Sequence, residues 1–379
     1  MDLKRFSTRR TPFYTYDSAL LRQTLSAIRA ATADTPHFHV HYAVKACATP
    51  GVLRIISESG LGADCVSGGE IERAADCGFS PSDIVFAGVG KSDIEIEIAL
   101  ELGISCFNVE SLPELEVINA LASARGKIAN VAFRINPNVD AHTHAKITTG
   151  LNENKFGLAM EDMIPAIHRA QELPAVRYVG LHFHIGSQIT DLEPFEQLAQ
   201  RVNELQNRLD AAGIKTESIN VGGGLGVDYT QPEANPIPDF DSYFRIFKDH
   251  LQLRDGQQVH FELGRSVVAQ CGALISRVLY VKHGHKKDFV IVDAGMSDLL
   301  RPALYGSAHQ ARNLSHPEAP SARFDIVGPI CESSDVFLSD YTMPSPQRGD
   351  LIAFKSAGAY GEIMASSYNC RQLPESWID

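Results

Sequence analysis

Four short stretches of this 379-residue chain combine residue types that could do covalent or acid–base chemistry. The first is His41-Tyr42-Ala43-Val44-Lys45-Ala46, an apolar run that reads as a strand delivering one lysine to its own C-terminal end. An ammonium beside a core is costly unless it is paired, whereas a lysine amine placed there can hold an aldehyde as a Schiff base. The plain alternative is a solvated lysine at a strand end. The second stretch is His182-Phe183-His184-Ile185-Gly186-Ser187-Gln188. Alternate strand residues share a face, so the two histidines point together and Phe183 points away. Such a pair can be hydrogen-bonded core, can stack on a flat ring, or can begin a metal site, although no third ligand stands beside it. Ser187 could reach a phosphate. The third stretch, Gly222-Gly223-Gly224-Leu225-Gly226, exposes backbone N–H groups in a concave nest that an anion can approach closely. The fourth, Phe261-Glu262-Leu263-Gly264-Arg265, sets an acid, a glycine and an arginine within four residues. A carboxylate facing a ring nitrogen keeps that nitrogen protonated, and a guanidinium suits a phosphate or a carboxylate. Asp64, Ser67 and Glu70 form a lesser set: Ser67 reads as a helix cap, and Asp64 could support a ring or a histidine, or be structural.

These residues need elements to hold them at one place. Strand-like runs fall at 39–45, 62–66, 83–87, 104–109, 130–135, 178–185, 218–221 and 259–263, and helical patterns at 18–31, 69–77, 93–102, 112–122, 160–171 and 194–211. Eight strand–helix units predict a closed (β/α)8 TIM-like barrel, with a doubly wound open sheet as the alternative. The barrel is preferred because polar or glycine features recur at the C-terminal ends of its strands, where barrels keep their sites. The loops after the seventh and eighth strands are the usual phosphate site. Beyond residue 266 the runs 273–281, 288–292, 323–327 and 351–355 are separated by turn residues, which predicts an antiparallel β domain. The expected division is a barrel over 30–265 and a β-sandwich-like domain from 1–29 and 266–379, the strand at 12–17 joining the latter. The stretch 231–238 is the most linker-like.

Composition narrows the function classes. Hydrophobic residues make up 44% and charged residues 21%, an ordinary globular balance. A net charge of −12 argues against a nucleic-acid partner but leaves room for a small anion held by local basic groups. Seven cysteines without a C-x-x-C pair fit neither a disulfide framework nor a zinc site, so a cytoplasmic setting is expected. Lys4, Arg5, Arg9 and Arg10 are followed by a polar stretch and no long apolar run, so neither secretion nor membrane insertion is expected.

Taken together, the motifs resemble the fold-type III pyridoxal-phosphate-dependent decarboxylases, the fold also used by alanine racemase. The resemblance runs from Phe13 to Arg371. It rests on the stretches 42–46, 182–188, 222–226 and 262–265 and on Arg301-Pro-Ala-Leu-Tyr305-Gly, Gly328-Pro-Ile-Cys331-Glu332-Ser-Ser-Asp335 and Gly358-Ala-Tyr360-Gly. The segments 136–144 and 154–157 add to it.

The resemblance implies pyridoxal 5′-phosphate as cofactor, with Lys45 as its Schiff-base anchor and His184 stacked on its ring. It implies Ser187, Gly223, Gly224 and Tyr360 at the phosphate, Glu262 at the pyridine nitrogen, and Asp64, Gly264 and Arg265 completing the cofactor site. Arg265, Arg301 and Tyr305, with Tyr360, would hold the distal carboxylate of the substrate. Cys331 and Glu332 would come from the partner of a homodimer with shared sites, Cys331 as proton donor and Glu332 at the substrate. The implied reaction is decarboxylation of meso-diaminopimelate to L-lysine, because an enzyme for ornithine would have no use for Arg301 and Tyr305. Other basic amino acids, a carboxylated polyamine, racemisation and simple cofactor carriage are the alternatives. Two positions depart from the family pattern: Leu263 stands where proline is usual, and Cys47 where asparagine is usual. Cys47 shares the face of Lys45 if the strand continues.

Overall fold

The computed structural model describes residues 6–140 and 155–379. Residues 141–144 and 154 of the family-like segments, and the basic residues Lys4 and Arg5, lie outside the described residues. The chain divides into two compact units. One comprises Leu25–Gly226 and Asp239–Gly264; the other comprises Met1–Thr24, Val227–Pro238 and Arg265–Asp379.

The first unit is a closed barrel of eight parallel strands in sequence order. They are β2 (Phe38–Ala43), β3 (Gly62–Cys65), β4 (Ile84–Phe86), β5 (Cys106–Val109), β6 (Ala129–Arg134), β7 (Val176–His182), β8 (Ser218–Asn220) and β9 (Gln258–Leu263). The strands are short, apolar and buried on both faces, as a barrel sheathed in helices requires. Strand alternation decides what fills the interior. Phe261 of β9 turns outward to Phe244 and Phe247, with ring centroids 4.9 and 5.3 Å away, so its neighbours His260 and Glu262 turn inward.

Helix starts in this unit reuse one device. Ser67, Ser92 and Ser111 each cap a helix by accepting from the backbone N–H of the glutamate three residues on, Glu70, Glu95 and Glu114. Glu95 also accepts from Gly68 N at 3.0 Å, which ties the start of helix 93–102 to that of helix 68–76.

The expected strand at 39–45 ends at Ala43, and Val44–Ala46 forms a single 3-10 turn. Lys45 is therefore carried by a turn. Cys47 does not share its strand face; it is buried, its carbonyl accepting from Tyr42 Oη at 2.9 Å and its Sγ lying 3.3 Å from Thr49 Oγ1.

The second unit is a sheet ordered β12-β15-β10-β11-β13-β14, with β1 (Phe13–Tyr16) on β10 and β16 (Glu375–Ile378) on β1. The members of the main run are β10 (Gly272–His283), β11 (Asp288–Val292), β12 (Ala311–Asn313), β13 (Ser321–Val327), β14 (Val336–Pro344) and β15 (Leu351–Phe354). Its antiparallel character is incomplete: β11 with β13 and β1 with β16 pair in parallel. The sheet is mixed because these partners are joined through long excursions rather than hairpins. The segment Val227–Pro238 groups with this unit.

Candidate active site

At the C-terminal end of the barrel strands, Lys45 Nζ lies 3.2 Å from Asp64 Oδ2, the lysine side chain 36% exposed and the aspartate fully buried. Asp64 thus meets the lysine amine directly. Burial, reinforced by the charge of Glu262, raises its carboxyl to about 6 against the pull of Lys45.

Glu262 is held on both of its carboxylate oxygens. Its Oε1 accepts from Asn220 Nδ2 at 2.8 Å and Asn108 Nδ2 at 3.3 Å, and its Oε2 lies 3.1 Å from His182 Nε2. Burial works to raise its pKa, yet His182, and then Lys45, hold it far below the ordinary range. Two buried carboxylates a strand apart are thus pushed in opposite directions, one toward its acid form and one firmly ionised. His182, one of the pair that the sequence left open as hydrogen-bonded core, ring-stacking or the start of a metal site, is the third holder of Glu262. Asn108 and Asn220 were not singled out. Each is a lone amide among apolar residues of a strand, and parity alone could have placed both inside the barrel.

His184 is half-buried, and its Nδ1 accepts from Gly223 N at 3.3 Å. Burial and the nearby Arg134 and Lys45 keep the ring neutral. The glycine run is required by close packing. A Cβ on Gly223 would sit 1.8 Å from the Glu262 carbonyl, and one on Gly222, at φ +71°, 2.2 Å from the Phe183 carbonyl. Gly264 is hemmed in by Ala43 and Ala46, so a Cβ there would sit about 3.0 Å from each. Ser187 is half-buried in the loop after β7.

The residues present fit a pyridoxal phosphate. Among the described residues, the buried Asp64 Oδ1 and His182 Nδ1 lack a hydrogen-bond partner beside a neutral imidazole, an ionised carboxylate and a glycine cradle. Nor, among the described residues, does any group of three or more His, Cys, Asp or Glu stand placed to hold a metal ion.

The sheet unit gathers the remaining basic and aromatic candidates. Arg265 and Arg301 are each only 5% exposed. The guanidinium of Arg265 lies 4.8 Å from the ring of Tyr360, and that of Arg301 lies 5.8 Å from the ring of Tyr305. Arg301 Nη2 donates to Ser307 Oγ at 3.1 Å. Tyr360 adopts φ +55°, a left-handed backbone that an aromatic residue rarely takes. One member was missed from sequence: Tyr229, three residues past the glycine loop, whose Oη accepts from Arg265 Nη1 at 2.7 Å. Cys331 and Glu332 are exposed, and Glu332 engages Tyr368 and Ser334 rather than an arginine.

Comparison with known proteins bears on this geometry. Residues 21–269 match the family described as pyridoxal-dependent decarboxylase, pyridoxal binding domain. The chain is 61% identical over 375 residues to diaminopimelate decarboxylase of Bacteroides thetaiotaomicron, covering 99% of this chain and 97% of that protein. It is 45% identical over 361 residues to the Pseudomonas aeruginosa protein of the same name, covering 95% and 86%. Among solved structures, diaminopimelate decarboxylase from Helicobacter pylori complexed with L-lysine superposes with a TM-score of 0.92 at 42% identity, covering 99% of this chain and 93% of that one.

Proposed function

This chain belongs to the pyridoxal-dependent decarboxylases, and from that premise we propose that it removes CO2 from meso-diaminopimelate to give L-lysine. The observation that carries the reading is the 61% identity with a diaminopimelate decarboxylase over 99% of the chain, which spans the barrel strand ends and the sheet unit alike. The cofactor is pyridoxal phosphate, which when bound supplies an aldehyde for amines and a ring that accepts the electron pair left by departing CO2.

The chain's own residues divide the remaining work. Lys45 Nζ is the anchoring amine, and Asp64, 3.2 Å away, holds it in place and takes part in its proton balance. Glu262 is kept ionised by three N–H neighbours and so presents a fixed negative charge to a ring nitrogen. His184, neutral and half-buried, offers a flat face for stacking. Ser187 and the N–H groups of Gly223 and Gly224, with Gly264, Arg265 and Tyr360, suit the phosphate end. Arg265, Arg301, Tyr305 and Tyr360 suit a carboxylate at the far end of the substrate, which is what separates a dicarboxylic diamine from ornithine. Cys331 donates the proton that replaces the lost carboxylate, and Glu332 reads an ammonium. Both residues act across a homodimer of shared sites, in a cytoplasmic enzyme. No helix among the described residues is long and apolar enough to cross a membrane. In domain terms, 30–265 carries the cofactor, while 1–29 and 266–379 serve the substrate and the dimer.

The deciding assay is CO2 release by the purified protein with added pyridoxal phosphate from meso-diaminopimelate, ornithine, arginine and carboxynorspermidine. Release from meso-diaminopimelate alone is expected. Release from another of the four in its place would overturn the substrate assignment and leave the cofactor chemistry standing.

A further inference from the structure

Two guanidiniums buried in the same unit repel each other, and something must hold them side by side. The structure assigns that task to Tyr229: we propose that it is a positioning residue that sets Arg265 and Arg301 as one receptor for the substrate's distal carboxylate. The inference rests on the distal-carboxylate role of the two arginines given above and names what aims them.

Three observations converge on Tyr229. Its hydroxyl accepts from Arg265 Nη1 at 2.7 Å. Its ring lies under the other cation, with Arg301 Cζ 5.4 Å from the centroid. A hydroxyl oxygen that accepts from one guanidinium still carries its own proton, free to donate to an anion between the two cations. The third observation is the wall behind it. His309 packs edge-on against Tyr229, at 5.3 Å and 83°, and is itself pinned through Nδ1 to the Lys355 carbonyl at 3.0 Å. Burial and Arg301 push the His309 pKa down to about 3, so this imidazole adds no third positive charge. Tyr229 is thus fixed from behind, bonded to one arginine and stacked on the other. Arg301 keeps capacity for a ligand: apart from the bond to Ser307, its buried Nε has no partner among the described residues. A ring that served only as filler would have no need of the hydroxyl bond to Arg265.

The test measures binding of L-lysine and of cadaverine, which is lysine without its carboxylate, to the holoenzyme by calorimetry. Tyr229→Phe keeps the ring and removes the hydroxyl; Tyr229→Leu removes both contacts. Loss of a hydrogen bond to a charged group predicts about tenfold weaker L-lysine binding in Tyr229→Phe and a larger loss in Tyr229→Leu, with cadaverine affinity moving less than about twofold. The KM for meso-diaminopimelate should rise by a larger factor than kcat falls. Equal losses for both ligands, or none for either, would overturn the proposal. Arg301→Met separates this failure from that of the underlying reading. If it weakens L-lysine but not cadaverine, the arginines do read a carboxylate whatever Tyr229 does. If it leaves L-lysine binding unchanged, the distal-carboxylate reading falls, and the role of Tyr229 with it.

Discussion

Glu262 and Asp64 lie in the same barrel interior and are both carboxylates, yet their surroundings assign them opposite tendencies. Glu262 has two amides and an imidazole on its oxygens; Asp64 has one lysine amine and one oxygen with no hydrogen-bond partner among the described residues. Replacing Asn220 with aspartate would put a second negative charge where a donor stood 2.8 Å from Glu262. The like charge should raise the pKa of Glu262, cut turnover by about tenfold or more and move the acid limb of the pH–rate profile upward. An unchanged profile would remove Glu262 from its assigned role. Asp64 makes a prediction for the cofactor-free protein. Its folded pKa of about 6 lies above its ordinary 3.8, so the stability it contributes is fully present below about pH 4 and is lost as pH rises through 6. Asp64→Asn should therefore flatten the decline in Tm between about pH 4 and 6. The part of the decline due to Glu70, raised by burial to about 7, would remain. Neither tendency can be read from sequence. Parity shows that Asn108, Asn220 and Glu262 face inward, but which of eight inward-facing sets meets which is fixed by the register of the closed barrel.

At the scale of elements, three helices of the barrel unit owe their starting points to a repeated Ser-x-x-Glu. Ser92→Ala removes a cap hydrogen bond on an exposed turn and should cost about 1 kcal/mol in chemical denaturation. Glu95→Ala should cost more than that, since the same carboxylate bonds Ser92 N and reaches across to Gly68 N. The glycine loop is less forgiving. Gly223→Ala sets a Cβ against the Glu262 carbonyl, so the variant should fail to retain pyridoxal phosphate through gel filtration even where its circular dichroism matches the parent. The eight strands were legible because each is a short apolar run punctuated by turn residues. Less legible were the exit of β2 into a 3-10 turn and the parallel pairings of β11–β13 and β1–β16. The first hangs on two residues of backbone, and the second on which distant strand arrives as neighbour, neither of which leaves a periodicity in the chain.

For the whole molecule, the proposed shared-site dimer predicts complementation. Mixing inactive Lys45→Ala and Cys331→Ala proteins should restore up to about a quarter of the parent activity, because random pairing of copies gives each mixed dimer one intact site. Mixed dimers that form and stay dead would confine Cys331 to its own protomer. The segmented sheet unit also has a consequence in time. β1 leaves the ribosome first, but the strands it pairs with, β10 and β16, lie far down the chain. About 250 residues separate β1 from β10, which at about 5–20 residues per second is a wait of roughly 10–50 s. Throughout that interval Phe13-Tyr14-Thr15-Tyr16, wholly buried in the finished protein, has no native partner. A nascent chain stalled before Gly272 should therefore hold this strand open to chaperones and proteases, even while the barrel strands already made are closing.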